Sequence, residues 1–163
     1  MTDTTGYVLC GGKSSRMGYP KALLTWNDHY WADCIAKKLY QGGCRDVYLI
    51  AKDIYIYHCH TPVIMDIQTK YHPLCGILTA LQHASTTHIC IAPCDIPDLD
   101  VSLVEQLIDC QPITYQAQNP LLCLLSKEHV QRAQELLQQE KSIYEFVSLG
   151  NELHSSISIK NYN

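Results

Sequence analysis

Short apolar runs recur along the first two thirds of the chain. Residues 6–9, 47–51 and 88–92 contain almost no alternation of polar and apolar side chains. Such continuous runs are typical of parallel strands that are buried on both faces. A shorter run, Val63–Met65, ends at Asp66. The pattern therefore predicts four strands of one sheet.

Between the runs, apolar residues recur at helical spacing. Trp31, Ile35 and Leu39 share one face of a helix predicted to begin near residue 28, and the glycines at 42–43 would end it. Further helices are predicted from Pro73, over Val101–Ile108, over 128–139 and around Ile143–Val147. Further strands are predicted over 113–116 and 121–125, and a last edge strand over 155–159.

Strands that alternate with helices predict an α/β fold. We expect one domain over residues 1–163, a length near the commonest domain size, built as a three-layer sandwich around a mostly parallel sheet. Sheets of this kind bind ligands beyond the carboxyl ends of their strands. The segment after Leu9, Asp66 and Asp95 all follow predicted strands, so they are the first candidates for a site.

Composition narrows the class of protein. Apolar residues make up 47% of the chain and charged residues 17%, which is typical of a globular protein. The net charge of -4 argues against a protein that coats nucleic acid or an anionic membrane. Neither a membrane-length apolar run nor a signal peptide is visible. We therefore expect a cytoplasmic protein with no nucleic-acid or membrane partner.

The nine cysteines are scattered, odd in number and form no C-x-x-C pair. We favour free thiols that pack as small hydrophobic side chains. The alternative is a soft-metal site built from His58, Cys59, His60, His72 and Cys75.

The loop after the first strand is glycine-rich and cationic. Residues 4–27 contain none of the 16 acidic residues of the chain but include Lys13, Arg16 and Lys21. A cationic segment in an acidic protein predicts an anionic ligand at that point. Glycines let the backbone approach a phosphate and point N–H groups at it, and serine hydroxyls add donors. The residues concerned are Gly11, Gly12, Gly18, Ser14 and Ser15. The alternative is a flexible loop with incidental cations.

Two common phosphate-binding motifs do not fit this loop. Gly12-Lys13-Ser14 looks like the end of a P-loop, but that spacing would need a glycine at Tyr7. The dinucleotide pattern G-x-G-x-x-G is also absent. The predicted mode is therefore a backbone cradle after the first strand.

The segment Leu9-x-Gly11-Gly12-x-Ser14-x-Arg16-Met17-Gly18, followed by Lys21, closely resembles the signature of the molybdenum cofactor guanylyltransferases. These belong to the nucleotidyltransferase superfamily, whose fold is Rossmann-like. Similar motifs follow in the family's order: Val63-Ile64-x-Asp66, Pro73-Leu74-x-Gly76-Ile77, Pro93-Cys94-Asp95-x-Pro97 and Asn119-Pro120-Leu121. Together they extend over roughly residues 6–147.

The resemblance implies a reaction in which GTP and molybdopterin cofactor give the guanine dinucleotide form and pyrophosphate. The terminal phosphate of the pterin would attack the α-phosphorus of GTP. A phosphate monoester is largely ionised at neutral pH, since its second pKa is about 6. The enzyme then needs charge neutralisation and alignment more than a strong base.

The resemblance also assigns residues to roles. Arg16, Lys21 and Asp95 would be catalytic, and Asp95 would bind the cofactor Mg²⁺. Asn119 and Pro120 would contact the pterin substrate. The nucleotide would be held by Leu9, Cys10, Gly11, Gly12, Ser14, Lys21, Asp66, Gly76 and Asp95. From the residues alone, Asp95 could instead cap a helix or form a turn, and Asp66 could be a turn-forming aspartate.

The two halves of the chain would divide the substrates. Residues 1–100 would bind the nucleotide and residues 101–163 the pterin, with transient contact to molybdoenzymes or their chaperones. The double glycine of Gly11-Gly12 favours GTP over CTP, because related cytidylyltransferases tend to read L-A-A-G there. A cytidylyl- or sugar-phosphate nucleotidyltransferase of the same fold is the alternative enzyme.

Four features depart from the family. A strand expected to end in asparagine reads Ile50-Ala51-Lys52, and near the C-terminus Ser158 and Lys160 stand in place of asparagines. These two motivate a non-catalytic alternative, a protein that binds or delivers the cofactor. In addition, His72 replaces a glycine, and the segment from Leu99 to Asn119 is shorter than the family norm.

Overall fold

A seven-stranded sheet forms the centre of the structure, a computed structural model that describes residues 3–12, 18–52, 54–66, 68–160 and 162. The strands of this sheet are β1 (Thr4–Leu9), β4 (Asp46–Ala51), β5 (Val63–Met65), β6 (His88–Pro93), β7 (Thr114–Gln116), β8 (Asn119–Ser126) and β9 (Asn151–Leu153). A separate hairpin pairs β2 (Thr25–Trp26) with β3 (His29–Tyr30). The helices are α1 (Trp31–Gln41), α2 (Pro73–His83), α3 (Val101–Ile108), α4 (Val130–Gln138) and α5 (Ile143–Val147).

The strand order is β5-β4-β1-β6-β8-β7-β9, and β8 runs antiparallel to the strands on either side of it. Its direction follows from the tight turn at Ala117 and Gln118 that joins it to β7. The Gln116 side chain closes this turn, since its Oε1 accepts the N–H groups of Gln118 at 2.6 Å and Asn119 at 2.7 Å. The mostly parallel sheet that the sequence predicted is confirmed.

Helices cover both faces of the sheet. Neighbouring strand residues point into opposite cores: Val8 packs in the cluster with the apolar residues of α1 and α3, and Tyr7 packs in the cluster with those of α2, α4 and α5. Leu49 and Ile50 divide in the same way. Continuous apolar runs therefore arise because each strand is buried on both faces, and the predicted three-layer sandwich is confirmed.

The predicted helices form with small changes at their ends. α1 begins at Trp31 rather than near residue 28, because Asn27 and Asp28, at φ of 49° and 64°, make the turn of the β2–β3 hairpin. α4 begins at Val130 after a 3-10 turn over Lys127–His129. Within the described part of the chain, no helix has the apolar length that a bilayer crossing requires.

The predicted edge strand over 155–159 is wrong. The strand at that edge is β9, which pairs in parallel with β7, and residues 155–159 form no ladder. Ile157 and Ile159 pack against the core on the α1 face, while Ser156, Ser158 and Lys160 are exposed. The alternation of apolar and polar residues thus arises because one side of an extended segment is buried against the core. It does not indicate a strand paired in the sheet.

The chain reverses its direction of travel across the sheet beside β1. It places β4 on one side of β1 by way of α1, and later places β6 on the other side by way of α2. Leu9 at the end of β1 is in register with Pro93 at the end of β6. A crevice between strand ends at such a reversal is where open α/β sheets bind ligands.

Candidate active site

A cavity of about 320 Å³ opens at this crevice, a volume at the lower end of the range for small-molecule sites. Its wall comes from the strand ends, the start of α2 and the 3-10 turn Lys21–Leu23. The lining residues are 9–12, Lys21, Ile50, Lys52, Asp66, 71–73, Gly76, 93–95 and Leu121.

The structure brings together most of the residues predicted for the nucleotide site. Those that line the cavity are Leu9, Cys10, Gly11, Gly12, Lys21, Asp66, Gly76 and Asp95. Ser14 and Arg16 lie outside the described residues. Asn119 and Pro120 begin β8 and are not among the lining residues, whereas Leu121 is. The roles of all these residues remain predictions.

The glycine loop starts where strand pairing stops. The N–H of Cys10 still donates to the carbonyl of Ile50 at 2.7 Å. Beyond it, no described atom lies within 4 Å of the point that a Cβ on Gly12 would occupy. Gly18 has a φ of +64°, a left-handed conformation that glycine adopts without steric cost. As far as the described residues reach, the backbone at Gly12 therefore has space in which a ligand could approach it.

Asp95 stands at the end of β6 with a carboxylate oxygen that lacks a partner. Its Oδ1 is buried and accepts no hydrogen bond within the part of the chain that the structure describes. Burial raises the pKa of the Asp95 carboxyl above its ordinary value, while the nearby Lys21 ammonium opposes that rise. Buried polar atoms normally have partners, and a bound cation would provide one.

Asp95 does not cap a helix. The N-cap of α3 is Asp100, whose carboxylate accepts the N–H of Ser102 at 2.8 Å. Asp95 lies in the turn before it, with its side chain in the cavity wall. The helix-cap alternative for this residue is therefore wrong. A single carboxylate fits Mg²⁺, which takes one or two carboxylates and completes its shell with phosphate oxygens and waters.

Asp66, in contrast, has protein partners on both oxygens. Its side chain is 3% exposed, and Oδ2 forms an ion pair of 3.0 Å with Lys52 Nζ. Oδ1 accepts the Thr79 hydroxyl at 2.9 Å and the Gln68 N–H at 3.0 Å. The bond to Gln68 is the local turn contact expected of a turn-forming aspartate. Asp66 thus fixes the cavity wall, and its contact with a nucleotide remains a prediction.

Lys52 is a lining residue that the sequence analysis named only as a departure from the family. Besides Asp66, its ammonium donates to the carbonyl of Gln68 and lies 5.7 Å from the centre of the Tyr71 ring. A polar residue directly after a buried strand, at the carboxyl edge of the sheet, was the signal that could have found it. Its charge neutralises Asp66 inside the cavity.

Gly76 sets the distance between α2 and the strands below the cavity. A Cβ at this position would lie 2.9 Å from Leu9 Cδ2 and 3.6 Å from Ile50 Cγ2. At the start of the same helix, His72 Nδ1 accepts the N–H of Leu74 at 3.1 Å and so caps α2. His72, which stands where the family has a glycine, therefore caps α2.

The alternative soft-metal site is not assembled in the described residues. His72 uses its Nδ1 as a helix cap, and Cys59 packs in the core on the α1 face. No group of three or more His, Cys, Asp or Glu side chains among the described residues is placed to hold a metal ion.

The architecture first defines a class, the nucleotidyltransferase fold. The chain is similar to the molybdopterin-guanine dinucleotide biosynthesis protein A of Archaeoglobus fulgidus, with a TM-score of 0.72 and 17% identity over 93% of this chain and 82% of that one. It is similarly related to a nucleotidyl transferase of Methanothermobacter thermautotroptrophicus, with a TM-score of 0.73 and 12% identity over 93% of this chain and 88% of that one. At these identities the likeness shows the fold.

Sequence comparison then gives the family. Residues 6–154 match the model of the MobA-like NTP transferase domain. The chain is also 30% identical over 155 residues to the probable molybdenum cofactor guanylyltransferase of Bacillus cytotoxicus, covering 86% of this chain and 77% of that protein. The chain belongs to the MobA-like NTP transferase family. The resemblance drawn from the ordered motifs is confirmed.

Replacing the buried charge of Asp95 should stabilise the metal-free protein. Because burial raises the pKa of this carboxyl above its ordinary 3.8, ionising it disfavours the folded state. Asp95→Asn should therefore unfold at a higher temperature than the wild type in a chelator at neutral pH. The difference should shrink as the pH falls through the raised pKa, where the wild-type carboxyl takes up a proton. Scanning calorimetry over a pH series measures it, and a wild type that is the more stable at neutral pH would contradict this account.

Removing Lys52 should leave Asp66 as an uncompensated buried charge. Lys52→Met is expected to lower the free energy of unfolding by about 3–5 kcal/mol, as when one partner of a buried pair is removed. The matched control is Lys70→Met, which breaks an exposed pair with Glu140 and should cost under about 1 kcal/mol. Adding Asp66→Asn to Lys52→Met should restore part of the loss. Urea unfolding measures all three, and equal losses in the two single variants would disprove the role of this pair.

Proposed function

We propose that the protein transfers GMP from GTP to molybdopterin cofactor and releases pyrophosphate. The observation that carries the proposal is a buried Asp95 carboxylate oxygen that has no partner among the described residues. It lies near Lys21 in a cavity that Gly11 and Gly12 also line. The name of the Bacillus cytotoxicus relative, a probable molybdenum cofactor guanylyltransferase, supports the choice of substrates.

The charged end of the cavity suits the phosphates. Backbone N–H groups around Gly11 and Gly12 would cradle them, since an exposed glycine backbone forms an anion-binding concavity. The Lys21 ammonium would neutralise the charge that develops on the departing pyrophosphate, and Arg16 is proposed for the same task. Asp95 would hold Mg²⁺, which when bound would supply further charge neutralisation and alignment of the phosphate oxygens.

The apolar part of the cavity lining suits the base. Leu9 and Ile50 lie beside Gly76 there. A purine ring is flat and largely apolar on its faces, so such a wall can pack against it while the phosphates reach Lys21 and Asp95. The preference for GTP rests on the Gly11-Gly12 pair of the loop motif.

The second substrate would enter from the side of β8. This strand begins at the edge of the sheet where the parallel strands end, because it is antiparallel to β6. Its residue Leu121 lines the cavity. Asn119 and Pro120 are proposed to contact the pterin at this edge, in the half of the chain formed by residues 101–163. The product would then pass to molybdoenzymes or their chaperones by transient contact.

Two of the departures from the family have structural tasks, since Lys52 pairs with Asp66 and His72 caps α2. Lys21 and Asp95 line the cavity. Both observations support turnover over binding alone.

Loss of either charged group should abolish most of the activity. Lys21→Ala and Asp95→Ala are each expected to lower kcat by about 100-fold or more, the usual effect of removing a group that stabilises developing charge. The assay is pyrophosphate release from GTP with Mg²⁺ and molybdopterin cofactor. Lys70→Ala, which removes an exposed ammonium that does not line the cavity, is the control and should keep wild-type turnover. Turnover within a factor of a few in either site variant would contradict the assigned roles.

The base preference has a separate test. Competition among GTP, CTP, ATP and UTP for the purified protein should show that GTP binds most tightly. A preference for CTP would replace the proposed reaction with a cytidylyl transfer on the same fold, and a preference for UTP or ATP would favour a sugar-phosphate substrate.

A further inference from the structure

Tyr162 lies against the charged end of the cavity, although nothing in the motif pattern marks it. Its N–H donates to the main-chain carbonyl of Asp95 at 3.0 Å. Its own carbonyl accepts the Lys21 ammonium at 3.5 Å, a long contact that attraction between the ammonium and the carbonyl dipole still favours. One residue thus contacts the Lys21 ammonium and the main chain of Asp95, the two residues on which the proposed reaction depends.

The two groups lie on different elements. Lys21 belongs to the 3-10 turn that follows the glycine loop, and Asp95 follows β6. About seventy residues of chain separate them, so tertiary contacts must set their relative position. The main chain of Tyr162 supplies such a contact on both sides.

The side chain of Tyr162 anchors this contact. Its ring packs edge-on against Trp26 and Trp31, with ring centres 5.3 Å and 5.6 Å apart. Trp31 is itself fixed at the start of α1, where its Nε1–H donates to the carbonyl of Thr25 at 3.2 Å. The Tyr162 hydroxyl donates to Asp98 Oδ2 at 3.3 Å. Edge-to-face aromatic pairs contribute about 0.5–1.5 kcal/mol each beyond the area they bury, so the two pairs favour this placement of the Tyr162 ring.

We propose that Tyr162 is a positioning residue for the nucleotidyl transfer. Its ring packs against the two tryptophans and so fixes the main chain of Tyr162. The N–H and carbonyl of that main chain then set the position of Asp95 relative to Lys21. The inference rests on the proposed function, because it assigns Tyr162 a task only through these two groups.

The effect should fall on rate more than on stability. Tyr162 belongs to none of the strands and helices of the described residues, and the ladder pairs of the sheet close without it. Misplacing a charged group by about 1 Å can cost up to about 100-fold in rate, because alignment contributes much of the catalytic effect. Removing the ring should therefore disturb the site while the sheet and its helices remain folded.

The chain carries its own reporter for this contact. Its two tryptophans are Trp26 and Trp31, and both rings contact Tyr162. Intrinsic tryptophan fluorescence therefore reports whether the Tyr162 ring is seated, independently of any activity.

The experiment compares Tyr162→Ala with Tyr162→Phe, and uses Tyr40→Ala as the matched control. Tyr40 is an exposed tyrosine of α1 that is not among the cavity-lining residues. Tyr162→Ala should shift the tryptophan emission, lower kcat by about tenfold or more and raise the Mg²⁺ concentration for half-maximal rate. Tyr162→Phe, which keeps the ring, should stay within about twofold of the wild type, as should Tyr40→Ala. If Tyr162→Ala does not fold, Tyr162→Leu replaces it with the same expectations.

Two results would overturn the inference. One is a Tyr162→Ala variant whose emission shifts while kcat and the Mg²⁺ dependence stay at wild-type values. The other is an equal loss of activity in Tyr162→Phe, which would make the hydroxyl and not the ring anchor decisive.

Failure of the proposed function is recognised separately, because the wild type would then release no pyrophosphate. In that case the rise in Tm on adding Mg²⁺ and GTP is the readout. Its loss in Tyr162→Ala but not in Tyr162→Phe would support the positioning role, and its retention in both would overturn it. A wild type with neither turnover nor a rise in Tm would overturn both proposals.

Discussion

The parallel pairing of β1 between β4 and β6 is the constraint on which the site depends. Leu9 is in register with Ile50 on one side and with Pro93 on the other. This register brings three strand ends to one edge of the sheet, so the glycine loop, Lys52 and Asp95 meet although they are distant in sequence. The strands hold their register because each is buried on both faces, where a slip of one residue would move every side chain to the opposite core. The cavity is thus a product of the same burial that stabilises the fold.

The two aspartates that line this cavity differ in how their charge is balanced. Asp66 has its charge balanced by Lys52 and its oxygens occupied by protein donors, which makes it part of the wall. Asp95 keeps a buried oxygen without a partner in the described part of the chain and has Lys21 nearby. Two aspartates that follow strands of one sheet therefore differ: Asp66 has a structural role, and Asp95 is the one we propose for a cation. The main chain of Tyr162 contacts Asp95 and Lys21.

The strands and helices could be predicted from the sequence because their signals are local. Apolar runs gave β1, β4, β5 and β6, and Val101–Ile108 and Ile143–Val147 form helices with the predicted bounds. The strand predicted over 155–159 was wrong, because alternation of apolar and polar residues shows which side chains are buried but not whether the backbone is paired. Eight of the residues that the ordered motifs assigned to the nucleotide line the cavity, whereas Asn119 and Pro120 do not, and all their roles stay predictions. Contacts between distant residues, such as those of Lys52 with Asp66 and of Tyr162 with Trp26, leave no local pattern and needed the structure.

The central claim is that Asp95 gives this cavity a cation-dependent nucleotide site. Calorimetry of GTP binding to the wild type and to Asp95→Asn, with and without Mg²⁺, tests it most directly. Mg²⁺ should tighten binding of GTP to the wild type by about tenfold or more and leave the affinity of Asp95→Asn unchanged. Equal tightening in the two proteins, or none in the wild type, would contradict the claim.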